Sequence, residues 1–350
     1  MTMSQAQSVT ATFTVTPETL NVSLSGNGSG SVTSSPDGIS CGSTCSDSFD
    51  YGTKVTLTAT PAVGSSFTGW SGACTGTSSC HVTMSQARSV TASFAVVPET
   101  LSAGLSGNGS GTVTSSPAGI SCGATCSSDF DYGTVVTLTA THATGSRFTG
   151  WTGACTGAGT CSVTMNQAQS VTATFTLVPE TLTVSRSGMG SGKVMSNPSG
   201  VSCGGTCSHS FNYGTTVILT AAPSASSRFV GWSGPCSGTG ICTVTMKQAR
   251  SVTATFGLLS ETLKTSKSGK GFGSVTSSPA GISCGSVCSH SFIYGTKVTL
   301  TAKAASGSHF AGWTGACTGT GTCTVTMNAA RSVTATFTKT SGSSRRNLKR

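Results

Sequence analysis

The sequence predicts a mostly β chain made of four tandem, small, disulfide-stapled antiparallel modules, strung like beads. Two observations carry this expectation. Trp70, Trp151, Trp232 and Trp313 recur every 81 residues, and all 16 cysteines recur in step with them. Within each repeat, Val, Leu and Phe alternate with Thr and Ser over short runs, the period of a strand with one covered face. A period of 81 is too long for a solenoid unit that needs its neighbours, so each copy reads as a domain with its own core.

The modules span residues 17–97, 98–178, 179–259 and 260–340, each opening on Pro-Glu-Thr-Leu, or on Ser-Glu-Thr-Leu at residues 260–263. Proline fixes one backbone angle and donates no hydrogen bond, so this phrase reads as a stiffened hinge between beads. In the first module Leu20, Val22 and Leu24 alternate with polar residues, and Gly26–Gly30 then leads into Val32, the pattern of a hairpin with a glycine-rich loop. Pro36-Asp37-Gly38 signals a turn ahead of the loop carrying Cys41 and Cys45. Val55, Leu57 and Ala59 mark the next strand, Phe67 and Trp70 precede the loop from Cys74 to Cys80, and Val82, then Val90, Ala92 and Phe94, mark the last. About six strands per module result, with at most one helical turn, near Ser85–Arg88. Residues 1–16 align with 82–97 and read as the C-terminal remnant of a truncated preceding repeat, and residues 341–350 read as a basic flexible tail. No apolar run reaches membrane length.

Charged residues make up only 8% of the chain, and this, with the alternating apolar residues, excludes the highly charged disordered class. Aromatics are 6%, too few for a bead of this size to rely on burial alone. Disulfides worth roughly 2–4 kcal/mol each would make up the difference, and they point to an oxidising, extracellular or cell-surface location. The net charge of +10 is uneven: residues 1–175 hold three basic and seven acidic groups, residues 176–350 the other 16 and two. Because the basic positions do not recur between modules, a solvated surface is favoured over a dedicated anion-binding face.

The cysteines form four quartets: Cys41, Cys45, Cys74 and Cys80; Cys122, Cys126, Cys155 and Cys161; Cys203, Cys207, Cys236 and Cys242; and Cys284, Cys288, Cys317 and Cys323. Zinc is the competing reading, but the wide second pair in each quartet fits structural zinc poorly. Each quartet allows three disulfide connectivities, and local pairs are expected because each pair flanks its own glycine-rich loop. Of the five histidines only His209 and His290 share a register, while Asp50 and Asp131 give way to Asn212 and Ile293. No acid-base set therefore recurs, and no catalytic residue, cofactor or metal is expected. Phe67 and Trp70, Phe148 and Trp151, Phe229 and Trp232, and Phe310 and Trp313 are expected as core aromatics, in preference to sugar-stacking platforms. The glycine loops lack the helix and lysine of a phosphate-binding loop. The basic tail lacks the interleaved aromatics of a nucleic-acid site, so no specific nucleic acid is expected as partner.

Gly-Ile-Ser-Cys-Gly at 38–42, Tyr-Gly-Thr-Lys-Val-Thr-Leu-Thr-Ala at 51–59, Phe67-Thr68-Gly69-Trp70-Ser71-Gly72 and Val90-Thr91-Ala92-Ser93-Phe94 resemble the divergent internalin B-repeat (InlB B-repeat) family. The resemblance covers nearly the whole chain, with Ser260 and Ser226 as departures in linker and loop. It implies a bacterial, β-rich tandem module of secreted and surface-attached proteins, without known catalysis. The expected role is a non-enzymatic stalk, spacer or presentation scaffold of monomeric modules with no membrane span. The alternative is an adhesin whose repeats bind a cell-surface glycan or a host protein multivalently.

Overall fold

Valine and threonine stand well on a pleated sheet and crowd a helical turn. The computed structural model describes residues 5–205 and 207–340, and among these it has 32 strands and no helix. Each module holds eight strands. In the first they are β1 (Pro17–Ser25), β2 (Gly30–Ser35), β3 (Ser40–Cys41), β4 (Ser46–Asp50), β5 (Lys54–Pro61), β6 (Ser65–Gly72), β7 (Cys80–Thr83) and β8 (Arg88–Val96). The order repeats from β9 (Pro98–Ser106) to β16 (Gln169–Leu177), from β17 (Pro179–Ser187) to β24 (Arg250–Leu258), and from β25 (Ser260–Ser268) to β32 (Arg331–Lys339). The chain divides into two compact units, Met1–Val178 and Pro179–Arg350, of two modules each.

The eight strands form two sheets, ordered β4-β1-β8-β6 and β3-β2-β5-β7. All pairs are antiparallel except β1 with β8, which run parallel with Leu20 opposite Arg88 and Ser25 opposite Ser93. The inward positions of both sheets meet in one core: Leu20, Val22, Val32, Val55, Leu57, Val82, Val90, Ala92 and Phe94, all buried. Phe94 is its largest fully buried side chain. Ile39, Phe49 and Met84 join it from short strands and turns. The outward positions carry hydroxyls that pair across the ladder, as in Ser23 with Thr91 and Ser25 with Ser93, each at 2.7 Å.

Several expectations are corrected. The module has eight strands rather than six, because the two-residue β3 and the five-residue β4 flank the first cysteine pair and are too short to show alternation. The glycine loop is not a hairpin turn. It carries the chain from one sheet to the other, since β1 pairs with β4 and β8 while β2 pairs with β3 and β5. A Cβ at Gly26 or Gly28 would overlap the backbone of β8, and one at Gly30 the ring of Phe94, so the loop wraps the end of β8 by having no side chain at these three positions.

The helical turn near Ser85–Arg88 is absent. Only residues 84–87 separate β7 from β8, and Ser85 N–H donates to the Thr83 carbonyl at 3.0 Å in a tight bend. The Pro-Glu-Thr-Leu phrase is no hinge but the first half of β1, with Pro17 opposite Asp50 and Leu20 opposite Asp47. Proline is tolerated there as the first residue of the strand. Leu24 is 39% exposed, and Arg186 and Lys267 replace it in the second unit, where they donate to the carbonyls of Gly192 and Gly273. Val9 and Phe13, in register with buried Val90 and Phe94, are exposed and belong to no strand. The tail at 341–350 lies outside the described residues.

The crowding at Gly30 gives a direct check. Gly30→Val should lower stability by about 1–3 kcal/mol through overpacking against Phe94. Chemical denaturation of the variant and the parent chain measures this, and an unchanged midpoint would show that the loop does not bear on the core.

Candidate functional site

Two disulfides and one tryptophan recur in every module, where the chain crosses between sheets, and one junction recurs in each unit. Cys41 is paired with Cys45 and Cys74 with Cys80, and the other three quartets pair in the same local way. No free cysteine is present among the described residues. Cys41 lies on β3 of one sheet and Cys45 directly precedes β4 of the other, while Cys74 follows β6 and Cys80 opens β7 of the opposite sheet. Each bond therefore ties the two sheets together where the chain passes between them. The Cys45 carbonyl also accepts the Val22 amide of β1 at 2.8 Å, so the first crossing is held to β1 by backbone as well.

Trp70 latches the second crossing from two sides. Its backbone N–H donates to the Gly76 carbonyl at 2.7 Å and its indole Nε1–H to the Ser78 carbonyl at 2.8 Å, both inside the Cys74–Cys80 loop. Trp151, Trp232 and Trp313 hold the carbonyls of Gly159, Gly240 and Gly321 in the same manner. All four tryptophans are buried. Phe67 packs edge-on to Trp70 with centroids 5.0 Å apart and is itself half-buried. Buried polar groups are stable only when satisfied, and here the polar edge of the indole orders a loop while its ring fills the core.

Beside this pair runs a small cleft between β5, β6 and the disulfide loop. It recurs in modules one, three and four with volumes of about 170, 220 and 340 Å³. Phe310, Trp313, Thr301, Thr320 and Thr322 are among the residues lining the largest, which has no charged residue in its wall.

Among the described residues no three of His, Cys, Asp or Glu converge as a metal-binding group. His209 and His290, the pair sharing a register, each stack edge-on against a core phenylalanine, Phe211 and Phe292, with centroids 4.8 Å apart. Phe49, Phe94 and their equivalents are core aromatics that reading the tryptophan motif alone passed over.

The junction within each unit is built from one residue. Val97 alone separates β8 from β9; its N–H donates to the Gly64 carbonyl of module one at 2.8 Å, and its carbonyl accepts the Tyr132 amide of module two at 3.0 Å. The Tyr132 ring lies so close over Gly64 that a Cβ there would overlap it, and Gly64 has a φ of 76°. In the second unit Leu259 takes the same place, donating to Ser226 at 3.0 Å and accepting from Tyr294 at 2.8 Å. Tyr132 and Tyr294 are half-buried, whereas Tyr51 is 60% exposed. The tyrosine in Tyr-Gly-Thr was legible as a repeat residue, but its partner across the module boundary was not.

The family model described as the divergent InlB B-repeat domain matches residues 20–98, 103–179, 183–258 and 265–341. No curated protein matches the chain. Among solved structures, the Bacillus anthracis TIE protein aligns over 94% of this chain and 75% of its own at 7% identity, with a TM-score of 0.46. The pilus adhesin SpaC of Lactobacillus rhamnosus GG aligns over 77% of this chain and 48% of its own at 9% identity, with a TM-score of 0.24. The major pilin T-13 of Streptococcus pyogenes aligns over 69% and 97% at 9% identity, with a TM-score of 0.17.

Opening the second crossing should have a measurable cost. Replacing Cys236 and Cys242 together by serine removes a small closed loop and should cost about 2 kcal/mol in the chain-entropy account. Trp232→Phe, which leaves the Gly240 carbonyl without its donor, should cost about 1 kcal/mol from the lost hydrogen bond alone. Denaturant titration followed by the amide resonances of Val244 and Val252 in the core of module three reads both losses.

Proposed function

Because the chain belongs to the divergent InlB B-repeat family, we propose that it is a non-enzymatic, extracellular or cell-surface repeat protein of bacterial origin that acts as a stalk, spacer or presentation scaffold. The junction is the observation that carries this reading. A flexible tether needs several free residues, whereas Val97 and Leu259 each stand alone between two strands with both backbone groups bonded, one to each neighbour. Such a joint transmits orientation from one bead to the next, which a spacer requires. The disulfides support the location, since bonds of this kind persist in oxidising surroundings. The same chemistry keeps each sandwich closed where no cellular machinery refolds it.

A specific observation favours a second reading. The uncharged cleft beside the Phe-Trp pair recurs with the repeat, as a weak site multiplied by avidity would. In that reading the repeats are the adhesive part, and the partner is a surface glycan or a host protein. A glycan array probed with the whole chain separates the two: a spacer leaves it blank, and an adhesin gives signals that fall when Phe310, Phe229 and Phe67 are changed together to alanine.

The stiffness of the joint is tested by hydrogen exchange on the full chain. The amides of Val97 and Tyr132 should be protected at a level near that of the adjoining strands. Tyr132→Ala should release Val97 and residue 132 by about tenfold or more, equivalent to some 1.4 kcal/mol, with Val55 in the core unchanged. Exchange of Val97 at the rate of an open loop in the parent chain would exclude a stiff spacer.

A further inference from the structure

The four modules act as internal controls for one another, and one position breaks the pattern. Across the bend between the seventh and eighth strands, module one sets Ser85 against Arg88, with Arg88 Nη2 donating to Ser85 Oγ at 3.3 Å. Module four sets Asn328 against Arg331, with Nη2 donating to Oδ1 at 2.7 Å. Module two has Asn166 and Gln169, which carry no charge. In module three the acceptor is replaced by a second cation, so that Lys247 faces the turn beside Arg250.

Beside these two cations lies a cleft of about 390 Å³ lined by Pro235, Thr243, Val244, Thr245, Lys247 and Arg250. Arg250 is half-buried and its Nε is buried without a hydrogen-bond partner. Arg88 shares the unpartnered Nε but keeps the serine acceptor for its outer nitrogen, which Arg250 has lost to lysine. Neither of the two acidic residues of this unit, Glu180 and Glu261, lines the cleft. Two cations thus converge on an open, hydroxyl-edged space with no anion of the protein's own. A partly buried cation left without a counter-charge is costly, and a guanidinium beside an ammonium, with threonine hydroxyls, is the donor set that suits a tetrahedral oxyanion.

We propose that the Lys247–Arg250 cleft of module three is a binding site for a phosphate or sulfate group. The outer guanidinium nitrogens and Nζ meet the oxyanion, and the hydroxyls of Thr243 and Thr245 border it. The strongly basic second half of the chain raises the local concentration of any anion that approaches. The site stands independently of the spacer reading.

The test is a titration of the full, oxidised chain followed by amide resonances, with inorganic phosphate, inorganic sulfate, and chloride at matched ionic strength. Saturable shifts at Thr245, Lys247 and Arg250 with phosphate or sulfate, but not chloride, are expected. Positions Asn166 and Gln169 should stay still. Lys247→Ser and Arg250→Gln, which install the residues of modules one and two, should each weaken binding by about tenfold or more. Because those residues already occupy the equivalent places, the fold is retained, and an unchanged Trp232 indole signal verifies it. A further arm with dextran sulfate distinguishes a polymer-borne group, which binds more tightly than free sulfate, from a free ion, which does not. Shifts that match chloride, that appear equally at Asn166 and Gln169, or that persist in Lys247→Ser would overturn the assignment.

Discussion

Each module is completed by its last strand. β8 lies between β1 and β6, parallel to the first and antiparallel to the second, so β6 joins the β4-β1 pair only once β8 is in place. The pairing joins residues 68 apart, as in Ser23 and Thr91, a long loop to close before any reward is collected. What repays it is the central position of Phe94, which is 1% exposed and is wrapped by a loop whose positions 26, 28 and 30 leave no room for a side chain. The glycines, the alternation of valine with threonine and the buried ring of Phe94 are therefore one requirement seen from three sides.

The disulfides add to this closure by acting where burial is weakest. A sandwich with so few aromatics has thin edges, and the edge crossings are where its sheets could part. Cys41–Cys45 and Cys74–Cys80 sit on two of those crossings, and the tryptophan threads its indole N–H into the second. Core, crosslink and loop order are thus combined in a few side chains, which leaves the outward hydroxyl faces free to vary. Among those faces and bends, Lys247 is one place where a copy has diverged.

Much of this was legible from residues alone, because strand alternation and a fixed period are local properties. Val55-Thr56-Leu57 and Val90-Thr91-Ala92 declare their buried faces, and the local cysteine pairs follow from short spacing around glycine loops. What escaped was set by tertiary topology. Nothing around Gly26–Gly30 distinguishes a hairpin turn from a crossing between sheets, since both need glycine; only the partner strands decide. Pro17 and Pro98 suggested a hinge, yet proline is also allowed as the opening residue of a strand. Tyr132 could be seen to recur, but its contact with Gly64 belongs to two modules at once and has no signature in either.

The parallel pairing of β1 with β8 also fixes how a module answers a mechanical load. Traction on the chain enters through Pro17 and leaves through Val96, at opposite ends of two strands that point the same way. The ladder between them is then sheared as a block, all its bonds strained together, instead of being peeled one rung at a time. Both sulfur bridges close short stretches, four and six residues apart in sequence, so they shorten the slack released by rupture only slightly and leave the resistance to that ladder.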